Sequence, residues 1–210
     1  MTGEFKNTTG RYIPLNKVWK ELKKESLMKI VVQVLSREGL NDLTMDTVAR
    51  EAGVAKGTLY AYFRNKQDLV REAIDATIAP MHAELTGILK SDLSPDQKLR
   101  KMTLSHLSYF EKHRDFFSIF VHDRHNEQRR LKRYRSCHYQ DFLETVASVV
   151  RDGIRARSFR DVDSKKIAAM LVESNISIIF HRLLSDHPAP VERDAALITD
   201  VFLNGIQRSV

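Results

Sequence analysis

Apolar residues recur at spacings of three and four along almost the whole of this 210-residue chain, and strict alternation is nearly absent. That spacing gives an α-helix of 3.6 residues per turn one apolar face, and it leaves little from which to build strands. Five prolines and eight glycines interrupt the pattern only rarely. The expected fold is therefore all-α, with about nine helices near 17–37, 45–51, 56–62, 66–89, 95–112, 115–123, 127–155, 164–185 and 190–207. Ser94-Pro95 supplies an N-cap and a first-turn proline in the preferred order, and Asp163 or Ser164 can cap the eighth helix. Gly39 suits the end of the first helix, and His187-Pro188-Ala189-Pro190 breaks the chain before the last.

Short helices precede the fourth helix and long ones follow it. We expect three parts: a basic, disordered extension over 1–16, a helix-turn-helix domain over 17–72, and a larger helical domain over 73–210. Lys6, Arg11, Lys17, Lys20, Lys23 and Lys24 make the start basic, suited either to an arm along a nucleic-acid backbone or to a solvated tail. A single cysteine, Cys137, cannot form an intramolecular disulfide and points to a reducing compartment. No apolar run at the start resembles a leader, and the run at 176–180 is too short to span a bilayer. The expectation is a cytoplasmic protein with no membrane partner. A formal net charge of +7 favours polyanions, though weakly by itself.

The stretch Thr44 to Lys66 carries more information. Thr44 can accept the backbone N–H of Thr47 at a helix start. Ala49, Gly53 and Leu59 supply the small residue, permissive turn and core anchor that two steeply crossing helices need, and Val48, Val54 and Phe63 complete a small core. The remaining residues suit neither packing nor plain solvation. Lys56-Gly57-Thr58 opens the third helix, where amide groups, an amine and a hydroxyl together attract a phosphate and a glycine lets it come close. Tyr60 and Tyr62 offer phenol donors, and Lys66 starts the next helix. Such contacts set register on DNA, leaving Thr58, Tyr60 and Ala55 as candidates to reach base edges.

On these residues the chain resembles the TetR family of bacterial transcriptional regulators, whose signature reads approximately T-x-x-x-I-A-x-x-A-G-V-S-x-G-T-L-Y-x-Y-F-x-x-K. It stands here as Thr44, Val48, Ala49, Ala52, Gly53, Val54, Ala55, Gly57, Thr58, Leu59, Tyr60, Tyr62, Phe63 and Lys66. The close match covers about 27–73, a third of the chain. Ala55 replaces a frequent serine and removes one hydroxyl contact. The resemblance implies that Thr44, Lys56, Gly57, Thr58, Tyr60, Tyr62 and Lys66 contact double-stranded operator DNA. It also implies a helical effector domain, dimerisation through the last two helices, and repression as the usual outcome.

The residues beyond position 75 agree with that architecture. The eighth helix is apolar around nearly its whole circumference, so it must be buried on two sides, by its own domain and by a second copy. Val172, Ile176, Ile179 and Leu183, with Ile198 and Phe202 on the last helix, are the expected homodimer contacts. A two-fold dimer would span half-sites about one DNA turn (~34–36 Å) apart on a palindromic operator. An effector pocket is expected from apolar walls with a few inward polar groups. Its candidate lining is Phe110, Phe117, Phe120, His138, Phe142, Glu173, Asn175 and His181, a set suited to a hydrophobic or aromatic small molecule. Arg124, Arg129, Arg130, Lys132, Arg133 and Arg135 crowd one stretch. They read as a solvated helix start, a contribution to the field near DNA, or a site for an anionic effector such as an acyl-CoA.

Catalytic and metal chemistry find no support. His122 and His125 lack a cysteine cluster or an HExxH-type frame, and there is no phosphate-binding glycine loop or nucleophile signature. The function expected is that of a ligand-responsive, DNA-binding regulator: not an enzyme, and with no cofactor or bound metal. The alternative is a DNA-bound protein-interaction or architectural factor with the same head and no effector.

Overall fold

The computed structural model describes residues 4–6, 12–122 and 137–206, with backbone only for 4–6, 12–22, 119–122 and 137–138. Among these, nine helices form: α1 Leu15–Asp42, α2 Met45–Glu51, α3 Lys56–Tyr60, α4 Lys66–Leu89, α5 Pro95–Lys112, α6 Arg114–His122, α7 Cys137–Arg155, α8 Ser164–Leu184 and α9 Val191–Ile206. The expected all-α fold is what forms. At the start, two three-residue strands, β1 Glu4–Lys6 and β2 Tyr12–Pro14, pair antiparallel with Phe5 opposite Ile13. The sequence suggests a basic arm or a partly disordered tail here; Phe5, Tyr12 and Ile13 are aromatic or β-branched residues that favour a pleated pair.

The chain divides into two compact units, 1–78 and 79–210. The division falls inside α4, at 78/79 where 72/73 was expected, and the buried Leu69, Val70 and Ala73 belong to the first unit. Pro80 sits just past it and lacks the N–H that would bond the carbonyl of residue 76, so one rung of the helical ladder is missing there.

In the first unit, α1 continues beyond its expected end at 37. Gly39 interrupts it at φ 79°, a left-handed conformation that costs glycine little, and a further turn reaches Asp42. Val31, Val34, Leu35 and Leu43 from the α1 region pack with Val48 and Ala49 of α2, Leu59 of α3 and Phe63. Val54, expected in this core, is only half-buried.

In the second unit α5 is the hub, packing against α7, α8 and α9, while α6 and α7 also cover α8. The Ser94 N–H donates to the Gln97 side chain at 3.1 Å, closing one half of a capping box ahead of Pro95. The Asp163 carboxylate accepts from the N–H groups of Lys165 and Lys166 at 3.1 Å and starts α8. α8 has the length and apolarity of a membrane span. It is nevertheless held as a core helix, and its buried Arg182 is paired with Glu111 and Asp194. The α7 described here starts at Cys137; the expected start at 127 lies outside the described residues.

Candidate nucleic-acid interface and interior polar site

The turn between α2 and α3 is set by local chemistry. The Thr44 hydroxyl accepts the Thr47 N–H at 3.0 Å and caps α2, while Gly53, at φ 63°, turns the chain. Ala55 precedes α3 and brings no side-chain cap, so the first amides of this five-residue helix face outward, apart from the Thr58 N–H, which bonds the Ala55 carbonyl at 2.8 Å. The helix ends at Tyr60, two residues short of the expected Tyr62, and Tyr62 instead lies tilted against Phe63 at 6.2 Å.

Thr44, Lys56, Gly57, Thr58 and Tyr60 are exposed. Leu59, between them, is fully buried and anchors the helix. A Cβ placed on Gly57 would meet nothing within 4 Å, so no internal contact requires glycine there.

Two of the candidate lysines have partners within the protein. Lys56 Nζ donates to Asp46 Oδ2 at 2.8 Å, and that hydrogen bond raises the ammonium pKa above its ordinary value. Lys66 Nζ donates to the Asn41 carbonyl at 3.1 Å, tying the start of α4 to the end of α1. Lys24, read from sequence as part of a basic arm, pairs with Glu72 and lies 5.9 Å over the Phe63 ring. Asp46, Asn41 and Glu72 carry no sequence signal for these roles, because each pairing depends on how α1, α2, α3 and α4 are brought together.

The candidate effector residues separate sharply. Phe110, Phe117, Phe142 and Asn175 are buried. Phe110 lies 4.3 Å from Phe117 between ring centroids, and His106 lies 5.6 Å from Phe110 and 6.4 Å from Phe142. His82 stacks on the other side of Phe142 at 5.8 Å. Glu173 and His181 point outward, and Glu173 accepts a hydrogen bond from Tyr139 on the surface. The correction follows from helix geometry: at about 100° per residue, Glu173 and Asn175 stand on opposite faces of α8. The side chains of Phe120 and His138, and the basic residues 124–135, lie outside the described residues.

His106 and Thr103 were missed by the sequence reading and are buried with Asn175. Asn175 Nδ2 donates to Thr103 Oγ1 at 3.5 Å and approaches Met102 Sδ at 3.8 Å. Among the described residues, Asn175 Oδ1 and His106 Nδ1 have no hydrogen-bond partner. Burial, with a smaller contribution from His82, lowers the His106 pKa to about 4 and keeps the ring neutral. Next along the seam between α5 and α8 is a shallow crevice open to solvent, lined by Leu107, Phe110, Glu111, Ile179, Arg182 and Leu183.

The expected dimer residues differ in exposure. Val172, Ile179, Leu183 and Ile198 are buried within the protomer, and Ile176 and Phe202 are half-buried. The apolar surface left uncovered on α8 and α9 is a different stripe. Met170, Phe180, Leu184, Leu197 and Val201 are between 39% and 64% exposed.

Comparison with known proteins places these features in context. Residues 31–73 match the model of bacterial regulatory proteins of the tetR family, and residues 92–179 match a tetracyclin repressor-like C-terminal domain, together more than half the chain. The HTH-type transcriptional regulator YhgD of Bacillus subtilis (strain 168) is 21% identical over 88% of this chain and 96% of its own. The DNA-binding transcriptional repressor TetR of Mycobacteroides abscessus is 37% identical over 35% of this chain and 40% of its own length. The solved structure of the transcriptional regulator FadR from Bacillus subtilis in complex with stearoyl-CoA superposes with TM-score 0.73 at 17% identity, covering 88% of this chain and all of that one.

Proposed function

Because the chain belongs to the TetR family and is a DNA-binding transcriptional regulator, we propose that it is a cytoplasmic repressor that grips a palindromic operator as a homodimer and lets go when a small molecule enters the 79–210 unit. One observation carries the DNA half of this reading: an exposed Gly57 that the fold does not need, set among exposed Thr44, Lys56, Thr58 and Tyr60. Phosphate meets the amides at the start of α3, and Lys56, released from Asp46, adds its charge. Tyr62 and Lys66 are the flanking contacts of the proposed interface; Lys66 meets the backbone near its bond to Asn41.

The exposed stripe on α8 and α9 is the proposed homodimer seam, replacing the buried residues expected from sequence. An effector shifts the operator equilibrium only by its differential affinity for the bound and released conformations. The aromatic interior suits an apolar body. A long-chain acyl-CoA is a compound to test, given the ligand held by the FadR structure of the same fold.

A second reading keeps the head and replaces the small molecule with a protein partner. It is favoured by the close packing between α5 and α8, whose surface crevice encloses no volume comparable to the ~300–1,000 Å³ of most ligand sites. Against it stand two buried polar atoms without partners, which a finished core rarely keeps.

The test is selection of bound fragments from the source genome at physiological salt, followed by release assays on the recovered operator. A single palindromic motif, with release by added small molecules, is the expected result. Diffuse, steeply salt-dependent binding without a motif would point to an architectural role. A motif that no compound releases would favour the protein-partner reading.

A further inference from the structure

Buried polar atoms are almost always hydrogen-bonded, because desolvation without a partner costs as much as a lost hydrogen bond. Two exceptions on one seam are therefore informative. Thr103 and His106 lie one helical turn apart on the same face of α5, and Asn175 reaches Thr103 from α8. One further turn along each helix come Phe110 and Ile179, two of the residues lining the crevice. Orphan polar pair and crevice thus occupy successive turns of a single interface, with the Phe110 ring between them, 5.6 Å from His106.

We propose that His106 Nδ1 and Asn175 Oδ1 form the polar end of a binding site for a neutral small molecule whose apolar body carries a hydrogen-bond donor, a hydroxyl or an amide N–H. This rests on the small-molecule reading above and names the class of molecule. An amide oxygen can only accept, so the ligand must donate to Asn175. The neutral imidazole can accept a second such bond at Nδ1. An anionic head finds no free charge on α8 among the described residues, since Arg182, two turns along from Asn175, is held by Glu111 and Asp194. Displacement of the Phe110 ring joins the crevice to the polar pair and gives the apolar body its room.

The experiment uses the full-length chain with matched probes: phenol against anisole, 1-octanol against 1-methoxyoctane, and stearoyl-CoA. Calorimetry gives affinities, and ¹⁵N spectra of histidine-labelled protein follow the His106 ring nitrogens. The hydroxyl members are expected to bind at least tenfold tighter than their capped partners and to shift the His106 nitrogen signals. His106→Phe and Asn175→Leu, checked for native helix content, are expected to abolish that preference. The nitrogen shift in the unsubstituted chain decides the matter even where a core variant misfolds.

Equal affinity for capped and uncapped probes, or an unchanged His106 signal at saturation, overturns the proposal, as does a failure of both hydroxyl probes to bind. Operator release by stearoyl-CoA with no change at His106 would overturn it while leaving the small-molecule reading intact. That reading falls separately, if no compound releases the operator.

Discussion

Lys56 faces a choice between two anions. In the free protein its ammonium is hydrogen-bonded to Asp46 on an exposed surface, and on DNA a phosphate competes for the same charge. Lys56→Ala is expected to weaken operator binding roughly tenfold at low salt and to reduce the slope of log affinity against log salt by about one. Asp46→Asn, which removes the competitor, is expected to tighten binding; fluorescence anisotropy across a salt series measures both. His106 sets a different dependence. Its ring takes a proton near pH 4 in the folded chain, against an ordinary value of 6.5. Between those values the unfolded chain binds more protons, so stability rises with pH and is lost as pH falls through the window. His106→Phe is expected to flatten that slope by up to about 1.4 kcal/mol per pH unit, read from urea midpoints between pH 6.5 and 4.

The helices differ in how tightly their neighbours constrain them. Near the end of α7, a Cβ on Gly153 would lie 2.1 Å from the ring of Phe159, a side chain that is itself fully buried. The N–H groups of Ser158 and Phe159 both bond the Gly153 carbonyl, so the turn cannot simply move aside. Gly153→Ala is expected to cost about 1–3 kcal/mol by overpacking. Combining it with Phe159→Leu should recover part of that loss, visible as coupling in a double-mutant cycle of melting free energies. At the far end of α8, Arg182 draws Glu111 of α5 and Asp194 of α9 together, and Arg114 of α6 donates to the Arg182 carbonyl at 2.8 Å. Three helices meet at this one guanidinium, and a fourth holds the backbone of the same residue. Arg182→Met is expected to lower stability by about 2–3 kcal/mol, less than the ~3–5 of a fully buried pair because both carboxylates keep some solvent.

At the scale of the molecule, assembly depends on a surface that a single chain leaves unfinished. Leu197→Glu with Val201→Glu places charge on the exposed stripe and is expected to leave helix content unchanged. It should convert the protein to a monomer in sedimentation velocity and sharply weaken operator binding, since two half-sites then have no linked heads. Ile198→Ala, one position along but facing the core, is expected to cost about 2–4 kcal/mol of protomer stability without changing assembly. A dimer that survives the charged pair would place the seam elsewhere.

Spacing alone determined the helices, because a 3.6-residue period is a local property that each segment carries by itself. The same holds for the turn at Gly53, the Thr44 cap and the run from Lys56 to Tyr60, where the residues that matter are neighbours in sequence. Tertiary structure decided the rest. Whether Ile198 or Leu197 faces a partner depends on which side of α9 meets α5, and an apolar pattern that covers most of a helix does not say. Asp46 finding Lys56, and Asn175 finding Thr103 across 72 positions of chain, depend on helix packing. Such pairings come from side chains meeting in space, and no spacing along the chain encodes them.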